Sequence, residues 1–96
     1  MKQKKLSLLI VDDEESISSI FRDFFEDMGL DVTTVSSGAG AVAVVSGSTF
    51  DAAIIDMRLP DMIGNELIMK LYAARPEIKF FIHTGSIDYQ LPEELR

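Results

Sequence analysis

Carboxylates follow two apolar runs that have the composition of buried strands. Asp12 and Asp13 come directly after the run 6–11, and Asp56 comes directly after the run 52–55. If these strands are parallel neighbours, their carboxyl ends meet at one edge of the sheet, where ligands bind in such folds. So much negative charge in one place is costly unless a cation lies among it. The spacing therefore predicts a Mg²⁺ site that contains a reactive aspartate.

A third run, 80–83, leads into Thr84 and Gly85. Its end would add a hydroxyl group to the same edge of the sheet. His83 is the only histidine in the chain. Side chains alternate between the two faces of a strand. Since we expect Thr84 to point into the pocket, we expect His83 to point away from it and to serve in packing.

Strands and helices alternate along the whole chain. Apolar and β-branched runs predict strands, and apolar residues at helical spacing predict helices. Strands are predicted at 6–11, 31–36, 50–55 and 79–83, and helices at 14–28, 38–46, 64–74 and 88–95. This alternation indicates an α/β fold with a parallel sheet and right-handed crossovers.

Two of the predicted helices have clear local signals. The helix at 14–28 carries one apolar stripe, made of Ile17, Ile20, Phe21, Phe24, Phe25 and Met28. Gly29 follows it as a C-terminal stop. Ser37 is placed to cap the helix at 38–46.

Composition limits the class of protein. The chain has 96 residues, which suits one domain, and 47% of them are hydrophobic. A net charge of −7 argues against direct binding to nucleic acid or to an anionic membrane. The absence of cysteine excludes disulfides and thiolate chemistry. No stretch is long enough to span a bilayer, so we expect a cytoplasmic protein.

Three motifs together resemble those of response-regulator receiver domains, the phosphoacceptor modules of two-component signalling. They are Leu-Ile-Val-Asp-Asp-Glu at 9–14, Asp-Met-Arg-Leu-Pro-Asp-Met-Ile-Gly at 56–64 and Thr-Gly at 84–85. The resemblance covers the whole chain. It implies a flavodoxin-like, doubly wound parallel sheet with strand order 2-1-3-4, and a single receiver domain over residues 1–96.

The same resemblance implies a metal site. Asp12 and Asp13 are similar to the acidic pair that holds Mg²⁺, with Asp13 the more direct ligand. Asp56 and the backbone carbonyl of Arg58 complete the protein ligands. Oxygen donors of this kind favour Mg²⁺, with Mn²⁺ as an alternative, over Zn²⁺.

The resemblance also implies the roles at the phosphoryl group. Asp56 is the expected phosphoacceptor, supplied by a histidine kinase or a phosphotransfer protein. Thr84 is the expected switch hydroxyl, and the backbone amides of Arg58 and Gly85 are expected to contact phosphoryl oxygens. Such a domain catalyses only its own phosphorylation and dephosphorylation, so we do not expect a conventional enzyme.

The chain departs from the family pattern at its end. The resemblance implies a fifth strand, which delivers a lysine to the phosphate, and a fifth helix, and we expect neither within these 96 residues. Lys79, at the start of the fourth strand, and Lys70, in the third helix, are poorly placed to substitute. We therefore expect a C-terminally incomplete domain, which is either a fragment or a short chain completed by another subunit. Its fourth strand would be an edge carrying Phe80, Phe81 and Ile82. Exposed apolar edges invite pairing, which predicts a homodimer or strand exchange there.

Two other functions compete with this interpretation. One is a receiver-shaped interaction module that binds partners without switching productively. The other is a small Mg²⁺-dependent phosphatase with an aspartyl nucleophile. Phosphatases of that class carry a second aspartate two residues after the nucleophile, and Arg58 stands at that position.

Overall fold

A computed structural model describes residues 5–83 of the chain. The elements in chain order are β1 Ser7–Val11, α1 Glu15–Asp27, β2 Asp31–Val35, α2 Gly38–Gly47, β3 Ala52–Asp56, α3 Gly64–Ala74 and β4 Lys79–His83. Each predicted strand and helix in this range is present, with ends that differ by at most two residues. The helix predicted at 88–95 lies outside the described residues. Within residues 5–83, no helix is long and apolar enough to cross a membrane.

The four strands form one parallel sheet in the order β2-β1-β3-β4. This confirms the order that the resemblance implied. Val11 pairs with Val35 on one side and with Ile55 on the other, so β1, β2 and β3 end side by side. Asp56 pairs with His83, which places the end of β4 at the same edge.

The apolar core lies between the sheet and the helices α2 and α3. Alternate residues of β1 and β3 point into it, as a pleated strand requires. Its fully buried members are Leu9, Val11, Ala41, Val45, Ala53, Ile55, Leu67 and Leu71. Ala41 and Val45 come from α2, and their small size lets that helix lie close to the strands.

Helix α1 packs on the opposite face of the sheet, and it is less buried than its apolar stripe suggests. Ile20, Phe24 and Met28 are between 59 and 65% exposed, whereas the buried residue of this helix is Ser18. Among the described residues, α1 is the one helix on its face. A broad stripe on a single helix can therefore place only part of its width against the strands.

Helix α2 begins at two side-chain caps. The Oγ of Ser37 accepts a hydrogen bond from the Gly40 amide at 3.0 Å, which confirms the predicted cap. Asp61, in the loop after β3, adds a second cap that the sequence analysis missed. Its carboxylate accepts the amides of Gly38 and Ala39, both at 2.9 Å. These two bonds lower the pKa of Asp61 below its ordinary value and tie the β3–α3 loop to α2.

Candidate metal site at the carboxyl edge of the sheet

The structure brings the three predicted carboxylates together. Asp12, Asp13 and Asp56 each offer an oxygen atom, and these oxygens lie within 4.8 Å of one another. Asp12 and Asp56 are buried, at 3 and 7% exposure, while Asp13 is exposed. The cluster forms because Val11 and Ile55 are partners in the sheet, so the residues that follow them leave their strands side by side.

The donor set suits a hard divalent cation. Carboxylate oxygens are the ligands that Mg²⁺, Mn²⁺ and Ca²⁺ prefer. Three carboxylates at this separation repel one another, and a bound cation removes that repulsion. The acidic cluster is therefore consistent with divalent metal binding.

Both carboxylate oxygens of Asp12 are held by the protein. Oδ1 accepts a hydrogen bond from the Glu14 amide at 2.9 Å, at the start of α1. Oδ2 lies 3.1 Å from Nε2 of His83. The backbone carbonyl of Asp12 also accepts a longer bond, of 3.4 Å, from Ser18 Oγ. The orientation of this carboxylate is consequently set from two sides.

The prediction for His83 is wrong. We expected this side chain to point away from the pocket, but its ring contacts Asp12 and meets the edge of Phe21, with ring centroids 5.0 Å apart. The reason is the register of the sheet. His83 is the partner of Asp56 in β3, and partners in adjacent strands project from the same face. Aligning β4 with β3, so that His83 pairs with Asp56, would have predicted that His83 points toward the site.

Asp56 is held by the loop that follows it. The Arg58 amide donates to Asp56 Oδ1 at 3.2 Å. Burial raises the pKa of Asp56 above its ordinary value, and the nearby charges of Asp12 and Asp13 raise it further. The Arg58 amide and His83 act in the opposite direction. The carboxylate is thus destabilised in its charged form, which a cation would relieve.

The loop after Asp56 is tight, and Gly64 is what permits it. The Gly64 amide donates to the Met57 carbonyl at 2.7 Å. A Cβ atom at Gly64 would lie 2.9 Å from the Asp56 carbonyl oxygen and 3.0 Å from Met57 Cα. Both are backbone atoms, so a larger residue would push this loop away from the site.

A polar cavity of about 300 Å³ lies beside the cluster, between α1 and the end of β2. It is lined by Asp12, Asp13, Glu15, Ser18, Ser19, Arg22, Thr34, Val35 and Ser36. Arg22 closes one side, where its Nη2 donates to Thr34 Oγ1 at 2.7 Å. The cluster is therefore reached from an open, polar side of the molecule.

The other predicted site residues fall into two groups. Thr84 and Gly85 lie outside the described residues, so their roles stay predictions. Lys79 pairs with Ala52 at the opposite end of the strands from Asp56, and Lys70 lies on α3, as expected. The contacts that the sequence analysis missed are the His83 ring, the Glu14 amide and the Asp61 cap.

Comparisons with known proteins match response regulators. The sequence profile of the response regulator receiver domain matches residues 8–95. The chain is 34% identical to the response regulator SaeR of Staphylococcus aureus (strain USA300) over 78 residues, which are 81% of the chain and 34% of SaeR. It spans 18 to 34% of the length of the curated relatives that it matches first.

Solved structures agree with the observed topology. A CheY-like receiver domain protein from Methanospirillum hungatei JF-1 superposes with a TM-score of 0.86 at 30% identity, covering 96% of this chain and 71% of the other. A response regulator from Burkholderia pseudomallei, solved with a phosphorylated aspartic acid, calcium ion and citrate, gives 0.80 at 22% identity, covering 85 and 48%. The second likeness shows the fold.

Proposed function

This chain belongs to the response regulator receiver domain family, and from that premise we propose that Asp56 is its phosphoacceptor. The observation that carries the proposal is the cluster of Asp12, Asp13 and Asp56 at the carboxyl edge of the sheet, with ligand oxygens within 4.8 Å. Receiver domains are signalling modules rather than conventional enzymes. Their catalysis, which we propose for this chain too, is confined to their own phosphorylation and dephosphorylation.

The transfer uses atoms whose positions the fold constrains. Because the Arg58 amide engages Oδ1 of Asp56, we assign the attack on phosphorus to Oδ2. An oxygen–phosphorus bond forms, the phosphorus–nitrogen bond of a phosphohistidine breaks, and the histidine nitrogen keeps the bonding pair and takes up a proton. Positioning and charge stabilisation carry this kind of reaction, so little further activation of the carboxylate is needed.

The proposed ligands of Mg²⁺, or of Mn²⁺ in its place, are Asp12, Asp13, Asp56 and the Arg58 carbonyl. When bound, the ion would screen the repulsion between Asp56 and an incoming phosphoryl group. Thr84 and the amides of Arg58 and Gly85 are the proposed contacts to the phosphoryl oxygens. The proposed donor is a histidine kinase or a phosphotransfer protein.

The test is an NMR titration with Mg²⁺ followed by beryllofluoride, which mimics a phosphoryl group on an aspartate. We expect saturable amide shifts near residues 56–58 and 84–85 in the wild-type chain and none in Asp56→Asn. Asp27→Asn is the matched control, because Asp27 is exposed at the far end of α1. Its response should equal that of the wild type.

Other outcomes separate the competing functions. Mg²⁺ binding without a response to beryllofluoride would overturn the phosphoacceptor role and favour an interaction module. A folded protein that responds to neither would overturn the metal site as well. Turnover of a small phosphoester, lost in Asp56→Asn, would instead revive the phosphatase.

We also propose that a second copy of the chain pairs with the edge of β4. Among residues 5–83, β4 hydrogen-bonds to β3 alone, and Phe81 and Ile82 are 56 and 47% exposed. Such an edge offers both backbone groups and apolar surface to another strand. Light scattering over a concentration series should show a dimer that Ile82→Lys weakens. A monomer at the highest concentration would contradict the proposal.

A further inference from the structure

His83 makes a contact that the proposed phosphotransfer does not use. Its Nε2 lies 3.1 Å from Oδ2 of Asp12, a carboxylate that is almost completely buried. A carboxylate can only accept hydrogen bonds, so Nε2 carries the hydrogen and donates it. The ring of Phe21, edge-on at 5.0 Å, supports the imidazole from the side of α1.

The second oxygen of Asp12 is also engaged, by the Glu14 amide at 2.9 Å. With both oxygens held, the carboxylate cannot rotate freely about its last bond. Ligands that are fixed by a surrounding layer of hydrogen bonds bind metals more tightly, because less order is lost on binding. The Glu14 amide belongs to the backbone, so His83 is the side chain that controls this arrangement.

Resting on the proposed function, we infer that His83 is a positioning residue of the metal site: its Nε2–H orients the Asp12 carboxylate for a divalent cation without binding the cation. The group of ligand atoms that lie within 4.8 Å of one another consists of the three aspartates. His83 meets this group at Asp12 alone, from the β4 side. His83 therefore contacts a proposed ligand, Asp12, and is not itself one of the proposed ligands.

The contact also spans the sheet. His83 ends β4, Asp12 follows β1, and β3 lies between these strands in the sheet. The hydrogen bond thus links β4 to the proposed metal ligands, one residue before the proposed switch hydroxyl Thr84. An exposed surface histidine with a packing role alone would not make such a link.

The experiment measures Mg²⁺ affinity in four chains by the amide shifts of Asp13 and Asp56. His83→Leu removes the donor, and His83→Gln restores an N–H at a similar distance along the side chain. Tyr72→Leu is the control, because Tyr72 is an exposed aromatic residue near the end of α3 and belongs neither to the site nor to the β4 edge. We expect about tenfold weaker binding in His83→Leu, the lower end of such effects, with most of the affinity recovered in His83→Gln and none lost in Tyr72→Leu.

A second readout uses the wild-type chain and does not depend on the folding of any variant. The chain contains one histidine, so its imidazole nitrogens give a single set of ¹⁵N signals. We expect Nε2 to stay protonated when Mg²⁺ binds, with a shift that follows the same binding curve as Asp13. Loss of the Nε2 hydrogen on binding would make His83 a direct ligand and overturn the inference.

Failure of the inference is distinguishable from failure of the proposed function. Equal Mg²⁺ affinity in the wild type, His83→Leu and His83→Gln, with only the melting temperature changed, would leave His83 a packing residue while the phosphoacceptor site stands. A beryllofluoride response that is lost in Asp56→Asn would confirm this. No Mg²⁺ binding in the wild type would remove the metal site and the inference together.

Discussion

Ile55 and Asp56 are successive residues of β3, and both are buried, yet they lie in opposite environments. Ile55 is fully enclosed between the sheet and the helices α2 and α3. Asp56 projects from the other face into the acidic cluster. The same contrast holds on β1 between Val11, in the core, and Asp12, in the cluster.

The contrast shows where this molecule gains stability and where it gives stability up. Burial of an apolar side chain removes surface from water and stabilises the fold. Burial of a carboxylate beside two others destabilises the fold until a cation arrives. Substitutions at adjacent positions should consequently act with opposite signs, which urea and thermal denaturation can measure.

The largest effect is expected on the core side. Ile55→Ala should lower the free energy of unfolding by about 2–5 kcal/mol, because it leaves a cavity among packed side chains. Ile54→Ala is the matched control, since Ile54 is the same side chain on the same strand but only half-buried. Urea denaturation should show a clearly smaller loss for Ile54→Ala. Equal losses in the two variants would mean that both faces of β3 contribute equally to stability, which would contradict the expectation.

The next-largest effect is that of Asp56→Asn on the free energy of unfolding, and we expect Mg²⁺ to reverse its sign. In metal-free buffer at neutral pH, Asp56→Asn should raise the free energy of unfolding, because it removes a buried charge. Mg²⁺ at a hundredfold excess over its dissociation constant should stabilise the wild type by about 2.7 kcal/mol and should stabilise Asp56→Asn much less. Thermal denaturation with and without Mg²⁺ gives both comparisons, and Asp27→Asn serves as the control.

The pH dependence of that difference follows from the direction of the pKa shift. The pKa of Asp56 in the folded chain is raised above the unfolded value of 3.8. The advantage of Asp56→Asn is therefore complete above the folded pKa and disappears as pH falls through that pKa toward 3.8. An advantage that persists at low pH would show that charge is not its cause.

The smallest effect is expected at Asp61, whose exposed carboxylate caps α2. Asp61→Ala should lower the melting temperature modestly at neutral pH, because two helix amides lose their acceptor. The pKa of Asp61 is lowered in the folded chain. Its contribution is therefore present above pH 3.8 and is lost as pH falls through the folded pKa. A constant difference across this range would contradict the cap.

Much of this architecture could be predicted from local sequence patterns. The unbroken apolar run of β1, the Ser37 cap and Gly29 after α1 are short-range signals, and all three hold in the structure. Gly29 has a φ of +92°, a conformation that favours glycine at a helix end. The strand ends that carry Asp12 and Asp56 follow from the same local signals.

The sequence by itself determined which residues form strands and helices and which carboxylates end two of the strands, because those features depend on neighbours a few positions away. The tertiary structure decided the contacts of His83 and Asp61, which lie 71 positions from Asp12 and 23 from Gly38. It also decided that half of the apolar stripe on α1 stays exposed among the described residues. Register between strands and the packing of helices on a sheet join distant segments, and no local pattern specifies which side chains then meet.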